Sequence, residues 1–322
     1  MSFLVGLAIL VLVLYFSGIE KVFETILNAN LFFIGVAMLF LGFSVYFKSL
    51  RWLYFLKSVK IDVPYSHAFY SFNSALFIGN LVPFKAFEIL RGYFLKFKFK
   101  VSFSKTIPLV LVERALDVFV YILFSIVTLQ AMIELLPSNV ALFAFITMFI
   151  FLFIAILVLL ILNSKKIMLI FFKITSRLPL LKNFNKKLRK MANSFLLGFN
   201  QLKSSKALFK IIFLTLLIWI IECLIFLFSA KAVGINLPLV LFTLPLLSIL
   251  LGSLTFVPGG LGSIEAIFIL FLSLLGISIP QATSAVLIYR ALVHLGENLI
   301  GAVVLSNVYG IDMFKKAIKK LS

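Results

Sequence analysis

The feature that most constrains this chain is a series of long apolar stretches separated by short polar segments. Two of the stretches, Ile107–Gln130 and Ala141–Leu162, are long enough to cross a bilayer, for which about 20 apolar residues suffice. The mean hydropathy is +1.20 and 63% of the residues are hydrophobic. Such a chain cannot cover its own surface with polar groups in water. Because the alternating pattern of barrel strands is also missing, we predict an all-α polytopic membrane protein.

We predict about six full spans and two interrupted apolar regions within a single transmembrane domain, 1–322. The six spans are Phe3–Phe16, Leu31–Phe47, Ile107–Gln130, Ala141–Leu162, Ile211–Ala230 and Ala282–Ser306. The interrupted regions are Pro64–Leu90 and Pro238–Gly276. The first stretch lacks a basic n-region and a small-residue cleavage site, so we expect a retained helix rather than a signal peptide.

Lysine and arginine are distributed unevenly among the segments between these spans. The segments 48–64, 91–106 and 163–210, with the tail after Ser306, hold 25 basic residues, and the other segments hold 2. The positive-inside rule therefore places the basic group, including Arg51, at the cytoplasmic surface, with both termini on that side of the cell membrane. The same rule explains the net charge of +19 without a nucleic-acid partner.

This orientation puts both flanks of each interrupted region on one side of the membrane. The breaks fall at 79–83 and 257–262, and their Pro and Gly residues leave backbone groups that lipid cannot satisfy. Such breaks are tolerated only inside protein or beside a wet cavity, so we predict two re-entrant helical hairpins. With their flanking spans they form a possible inverted repeat. The alternative is that two breaks in a helical bundle coincide by chance.

The segment 163–210 carries twelve basic residues and no acidic residue. From Leu181 to Leu202 its apolar residues recur at steps of three and four, which is typical of one helix face. We predict a cytoplasmic basic amphipathic helix on an anionic leaflet. A solvated linker helix is the alternative.

Several ionisable residues lie within the apolar regions, where each costs about 2.5–3.5 kcal/mol on insertion scales. They are Glu88, Glu113, Arg114, Asp117, Glu222, Glu265, Arg290, His294 and Glu297. Helical spacing puts Glu88 with Arg91, and Glu113 with Asp117, on shared faces. It also puts Arg290, His294 and Glu297 in one stripe. We predict a shared polar cavity, the alternative being internal ion pairs that only fix helix register. No role follows for Glu222.

The segment Pro258–Glu265 reads Pro-Gly-Gly-Leu-Gly-Ser-Ile-Glu and is the sharpest motif. Its glycines, Gly259, Gly260 and Gly262, permit unusual backbone angles. Ser263 is placed to cap the following helix, whose free N–H groups would attract a phosphate or carboxylate. Alternatively, Glu265 satisfies those N–H groups itself, and the spacing does not decide between the two.

Soluble catalytic and metal-binding patterns are missing. The only cysteine is Cys223, and the two histidines, His67 and His294, have no companion ligands nearby in sequence. No P-loop, GxGxxG, HExxH or GxSxG motif occurs. We therefore expect no cofactor, no metal, no ATP-driven activity and none of the soluble catalytic chemistries that these motifs carry.

Five elements together resemble the lysylphosphatidylglycerol synthase transmembrane family, also called flippase-like proteins. They are Gly79-Asn80 with Pro83, Glu88-x-x-Arg91, Glu113-Arg114-x-x-Asp117, the Pro258–Glu265 motif, and Arg290 on the last span. A domain of this type is the lipid-translocating half of the bacterial multiple peptide resistance factor. The resemblance implies movement of an anionic phospholipid or polyprenyl-phosphate lipid between leaflets, and a lipid-modifying synthase as a partner.

With this resemblance, the charged and break residues become candidate contacts of the lipid headgroup. Lys85, inside the first break, is placed to bind a phosphate or to reach the cytoplasmic surface. Two other functions stay open at this point. One is a membrane-embedded enzyme acting on a lipid phosphate, with Glu113, Asp117 or His294 as acid or base. The other is a non-transporting scaffold for a synthase.

Overall fold

The computed structural model describes residues 2–80, 90–99, 101, 103–134, 206–255 and 260–310, with isolated positions between 138 and 156. These residues are helical with short connections and contain no β-strand, which confirms the all-α prediction. The main α-helices are α1 Ser2–Phe16, α2 Ile19–Leu27, α3 Leu31–Ser58, α4 Tyr65–Asn80, α5 Arg91–Phe99, α6 Phe103–Met132, α7 Ala207–Ala232, α8 Leu244–Gly252, α9 Ser263–Leu274, α10 Ile279–Arg290 and α11 Gly296–Val304. Short 3₁₀ turns, Leu239–Thr243 and Ser253–Thr255, flank α8.

Three of the described helices are long and apolar enough to cross a membrane. They are α3, α7 and the continuous helix Ile279–Tyr309. The predicted span Ile107–Gln130 lies inside α6, which has 30 residues. The predicted span Ala141–Leu162 falls mostly outside the described residues, as does the basic segment 163–210 up to residue 205. The count of six spans therefore remains a prediction.

Helix α3 is longer than its predicted span. It begins where the side chain of Asn30 accepts a hydrogen bond from the Phe32 amide at 2.9 Å, an N-cap that satisfies one of the unpaired donors of the first turn. It ends at Ser58 rather than at Phe47. The prediction stopped too early because it assigned the next basic residues to the surface. In the structure these residues have partners inside the protein, so the helix continues through them.

Helices α3 and α7 form the central antiparallel pair. At one end the Asn30 amide donates to the Ala232 carbonyl at 2.8 Å, and toward the other Arg51 donates to the Thr215 hydroxyl at 3.1 Å. Between these contacts the rings of Phe40 and Phe228 stack with centroids 5.5 Å apart. One face of each helix is thereby buried against the other helix, and polar side chains on these two faces can pair with each other.

The remaining helices make contacts between the N-terminal half of the chain, α1–α6, and the C-terminal half, α7–α11. Helix α6 packs on α8, and α11 packs on α4, while α4 with α5 and α8 with α9 form two packed pairs. The α4–α11 contact is close because Gly301 has no side chain: a Cβ there would lie 2.5 Å from the Asn73 carbonyl oxygen. One helix of each half therefore packs on a helix pair of the other half: α11 on the α4–α5 pair through α4, and α6 on the α8–α9 pair through α8.

Large apolar side chains cover much of the outer surface of the described helices. Leu31, Phe32 and Phe209 are each more than 70% exposed, with many others along α1, α3, α6 and α7. Soluble monomers rarely leave such extensive apolar surface in water. This surface fits contact with lipid tails, in agreement with a membrane protein.

The last long helix is not regular. Residues Ala291–Leu295 and Leu305–Tyr309 form π-helical turns on either side of α11. A π turn closes i→i+5 hydrogen bonds and so holds more residues than an α turn. The two π segments therefore rotate α11 relative to α10 and leave it as a separate nine-residue segment.

Candidate functional site

Five charged side chains from α3, α5 and α6 meet in the interior, and we call them the arginine cluster: Arg51, Arg91, Arg114, Glu113 and Asp117. Arg51 lies at its centre, with Nη2 2.7 Å from Glu113 Oε1 and Nη1 2.7 Å from Asp117 Oδ1. Arg91, the first residue of α5, lies 2.6 Å from the other Glu113 oxygen. The two carboxylates are one helical turn apart on α6, so both reach the same guanidinium.

The neighbouring helices hold this cluster in place with aromatic and polar contacts. From α7, the Trp219 indole N–H donates to Asp117 Oδ1 at 2.8 Å. The guanidinium carbon of Arg91 lies 4.2 Å from the ring centroid of Phe72 and 5.3 Å from that of Trp52. Such cation–π contacts stabilise a desolvated guanidinium. Both tryptophans of the chain thus lie at the cluster.

Arg114 is the member of the cluster that reaches the protein surface. Its side chain is 35% exposed, whereas those of Arg51, Arg91, Glu113 and Asp117 are nearly inaccessible. Its Nη1 lies 3.2 Å from Asp117 Oδ2. The described cluster has three positive and two negative charges, and the positive side is the one that opens outward.

A second cluster, the lysine triad, joins α3, α7 and α11. It consists of Lys48, Glu222 and Glu297, with Lys48 Nζ 2.7 Å from Glu222 Oε1 and 2.5 Å from Glu297 Oε1. The Ser44 hydroxyl donates to the same Glu222 oxygen at 2.5 Å. Lys48 and Arg51 are one turn apart on α3, so both clusters depend on one helix face.

A third contact lies at the second break. Arg290 Nε lies 2.6 Å from Glu265 Oε1, and both residues are buried. The Glu265 carboxylate therefore points at α10 rather than at the amides of its own helix start. Its second oxygen is buried without a hydrogen-bond partner among the described residues.

The glycines of the second break behave as expected, but Ser263 does not. Gly260 and Gly262 have φ of +64° and +77°, the left-handed region that favours glycine. Gly262, not Ser263, is the N-cap of α9. The Ser263 hydroxyl instead donates to the carbonyls of Gly252 and Gly260, both at 3.2 Å. The predicted cap is therefore wrong, because the serine ties the break to the end of α8.

The stripe predicted for Arg290, His294 and Glu297 is also wrong. It assumed a continuous α-helix, whereas a π turn separates the first residue from the last. As a result Arg290 pairs with Glu265, and Glu297 pairs with Lys48. His294, which lies between Arg290 and Glu297 in sequence, is half-buried. The ion pairs among the described residues fall into three groups, and the shared polar cavity remains a prediction.

Some predicted site residues cannot be placed. Lys85, Glu88 and Gly259 lie outside the described residues, and so does the side chain of Asn80 at the end of α4. The predicted pairing of Glu88 with Arg91 therefore stays a prediction.

Sequence reasoning missed Arg51, Lys48 and the partner of Glu222. Arg51 is 2% exposed at the centre of the arginine cluster, so its predicted position at the cytoplasmic surface is wrong. The signal was present, since most residues from Leu50 to Leu56 are apolar or aromatic and continue the helix.

Removing Lys48, Arg51 and Arg91 from the basic count of the segments between spans leaves its asymmetry intact, at 22 against 2. The orientation prediction therefore does not depend on the misplaced residues.

No group of three His, Cys, Asp or Glu residues arranged to hold a metal ion occurs in the part of the chain that the structure describes.

The chain was compared with known proteins. The profile of the family described as Lysylphosphatidylglycerol synthase TM region matches residues 3–301. The chain belongs to this family. Within the lysylphosphatidylglycerol synthase TM region family, the match includes every residue of the three clusters, from Lys48 to Glu297.

Similar archaeal proteins are known as UPF0104 membrane proteins. One from Methanocaldococcus jannaschii is 29% identical over 234 residues, which cover 71% of this chain and 92% of that protein. One from Methanothermobacter thermautotrophicus is 27% identical over 288 residues, covering 85% and 84%. One from Pyrococcus horikoshii is 28% identical over 124 residues, and this part spans only 37% of that protein. They support a membrane protein.

Proposed function

We propose that this chain moves a lipid with an anionic headgroup between the two leaflets of the cell membrane. The observation that carries the proposal is the arginine cluster, where guanidinium groups from α3, α5 and α6 gather around two carboxylates and one of them reaches the protein surface. A headgroup phosphate is the natural partner of such a site, since guanidinium groups bind phosphate in bidentate fashion.

Arg114 is the residue best placed to meet the headgroup first. Its side chain is 35% exposed, whereas the other two arginines are held inside. A phosphate approaching from the bilayer side would exchange contacts with this arginine while the acyl chains remain in lipid. The buried arginines then keep the surrounding potential positive without having to move.

The packing of the two halves supports a transport role. The packed pairs α4–α5 and α8–α9, which flank the two breaks, are each covered by a helix from the other half, and α3 and α7 are antiparallel at the centre. Inverted repeats with broken helices have this arrangement in many transporters. We interpret the two pairs as re-entrant hairpins that enter the bilayer from opposite sides.

The carboxylates are poorly suited to the alternative function, an enzyme acting on a lipid phosphate. Glu113 accepts from two arginines, and Asp117 accepts from Arg51 and the Trp219 indole. These bonds occupy the oxygens that a general base would use. The geometry therefore favours binding and passage of the lipid over its chemical change.

The test uses purified protein in liposomes containing a fluorescent phosphatidylglycerol whose outer-leaflet label is quenched by a membrane-impermeant reductant. We expect the protein to make the inner-leaflet lipid accessible faster than in protein-free liposomes. Arg114→Gln should lower the rate, whereas Lys57→Gln, at an exposed position on α3, should not.

Mass spectrometry of the recovered lipid separates the alternatives. An unchanged, translocated lipid supports the proposal, and a chemically altered lipid indicates an enzyme. A rate equal to that of protein-free liposomes would indicate a scaffold. Equal rates for the Arg114→Gln and Lys57→Gln proteins would remove the headgroup role of the arginine cluster.

A further inference from the structure

Two adjoining surface pockets lie at the end of the central helix pair that is opposite the arginine cluster. The first has a volume of about 530 Å³ and lies between α2, the start of α3, the end of α7 and the start of α10. Its polar lining residues come from all four helices: Glu24, Thr25, Asn28, Asn30, Lys231 and Gln281. The proposed passage of a headgroup at the arginine cluster makes no use of them.

The distance along α3 places this pocket at the other boundary of the bilayer. Asn30 caps α3 at the pocket, and its amide donates to the Ala232 carbonyl at 2.8 Å, which joins this end of α3 to the end of α7. From Asn30 to Arg51 the helix rises 1.5 Å per residue, about 31 Å in all. The hydrocarbon core of a bilayer is about 30 Å thick. The pocket and the arginine cluster therefore serve opposite leaflets.

Lys231 supplies the positive charge of the first pocket. It is half-buried in the last turn of α7, with Nζ 5.6 Å from the ring centroid of Phe228. A cation–π contact of this kind holds an ammonium in place while its N–H donors stay available. In the described part of the chain Lys231 forms no salt bridge, with Glu24 or with any other carboxylate. An anionic group of a ligand can therefore pair with it.

The other polar groups of the first pocket are suited to hydroxyl groups. The side-chain oxygen of Asn30 already accepts the N-cap bond, and that of Gln281 accepts from the Ser278 hydroxyl at 2.9 Å. Both side chains therefore present their NH₂ groups as donors, while the Glu24 carboxylate and the Asn28 amide add acceptors. A hydroxyl group donates and accepts at once, so it matches this mixture. The lining favours a phosphate that carries a hydroxylated group such as glycerol or a sugar.

The second pocket is apolar and continuous with the first. It has a volume of about 470 Å³, and Glu24 and Asn28 line both pockets. The other face of α2 is anchored in the protein, since Val22 is buried and its carbonyl accepts from the Ser284 hydroxyl at 3.2 Å. The wall of the second pocket is formed by three apolar residues one turn apart on α2, each more than half exposed: Ile19, Phe23 and Leu27. A polar pocket that opens onto an apolar wall fits an amphipathic ligand.

We propose that the two pockets together bind a phospholipid whose headgroup carries hydroxyl groups. The phosphate pairs with Lys231, the hydroxyl groups bond to Glu24 and Asn28, and an acyl chain lies along Phe23. The site receives the lipid in the leaflet opposite the arginine cluster. This place in the path rests on the proposed translocation, whereas lipid binding at the site does not.

The first measurement is photo-crosslinking of the purified protein with phosphatidylglycerol that carries a diazirine in its acyl chain. Mass spectrometry of the peptides should find the lipid on α2, at Phe23 or Leu27. Lys231→Gln should lower the yield severalfold and Lys231→Arg should retain it, because the arginine keeps the charge. The matched control is Lys21→Gln, an exposed lysine on α2 outside both pockets, which should leave the yield unchanged. A yield on α2 that Lys231→Gln does not change overturns the site.

Competition with unlabelled compounds tests the class of ligand. Phosphatidylethanol has the same phosphodiester charge as phosphatidylglycerol but no headgroup hydroxyl, and we expect it to compete about tenfold less well because hydrogen bonds are lost. Glu24→Ala should reduce this difference, whereas Lys231→Gln should weaken both lipids. Equal competition by the two lipids against the wild type overturns the recognition of hydroxyl groups. Glycerol 3-phosphate that competes as well as phosphatidylglycerol overturns a lipid as the ligand.

The second measurement is translocation of the fluorescent phosphatidylglycerol in liposomes. Wild type and Lys21→Gln should have equal rates, and Lys231→Gln should be slower. Translocation by a wild-type protein that gives no crosslink on α2 overturns the site and leaves the proposed function standing. A crosslink that depends on Lys231, in a protein that moves no lipid, supports the binding site and removes the proposed function together with the place of the site in the path.

Discussion

Replacing Arg51 with methionine tests whether the arginine cluster stabilises or destabilises the folded protein. The change removes a guanidinium that bonds to Glu113 and Asp117 at 2.7 Å each, from a side chain that is 3% exposed. Hydrogen bonds to charged groups contribute about 1.5–3 kcal/mol each. Glu113 keeps Arg91 and Asp117 keeps Trp219, so the loss lies near the lower end of the sum. We expect a decrease in the free energy of unfolding of about 3–5 kcal/mol, as for other broken buried pairs.

The matched control is Arg114→Met in the same cluster. Arg114 lies 3.2 Å from Asp117, and its side chain is 35% exposed, so solvent screens the interaction. Exposed pairs contribute about 0–1 kcal/mol, and we expect a change within that range. The predicted difference between the two variants is therefore at least about 2 kcal/mol, which corresponds to a factor of about 30 in the unfolding equilibrium.

The assay is reversible unfolding in mixed micelles with increasing denaturing detergent, followed by tryptophan fluorescence. Trp219 donates to Asp117 and Trp52 lies beside Arg91, so the signal reports the cluster directly. Equal losses for Arg51→Met and Arg114→Met would refute this reasoning.

Two further predictions concern the second break and the orientation. Gly260→Val should abolish translocation in an inserted protein, because φ is +64° and a Cβ would lie 2.2 Å from Ile264 Cδ1. Gly35→Val, where a Cβ would have no atom within 4 Å, should be tolerated. Translocation assays on both variants test this, and two active proteins would contradict the strained turn. A cysteine that replaces exposed Lys21 should react with an impermeant maleimide added to intact cells, and one that replaces exposed Lys57 should not. Buried Cys223 should give little background labelling, and the opposite pattern at positions 21 and 57 would invert the topology.

The extent of the helices was predictable where apolar residues run between lysines. The predicted span Ile211–Ala230 lies within α7, Ala207–Ala232, because this helix has basic residues only near its ends. The end of α3 was not predictable by the same rule. Whether Lys48 ends a span or continues it depends on a carboxylate 174 residues away, and local hydropathy does not contain that information.

The candidate site shows the same division. Glu113 and Asp117 were expected on one face because four residues make about one α-helical turn, and both do meet Arg51. The spacing rule failed for Arg290 and Glu297, since it holds only while the helix stays α-helical and a π turn lies between them. Pairings across helices, such as Lys48 with Glu222, required the structure because nothing in the sequence specifies which helices are neighbours.

The positions of the charged partners along the chain set an order for its synthesis in the membrane. All five residues of the arginine cluster lie between Arg51 and Asp117, so this cluster is able to close while the ribosome is still translating the second half. Lys48 has to wait on the same helix until α7 and then α11 emerge with their carboxylates. A nascent chain that ends before α7 therefore has one ion-pair cluster with all of its charged members and, one turn away on α3, a lysine without its carboxylate partners.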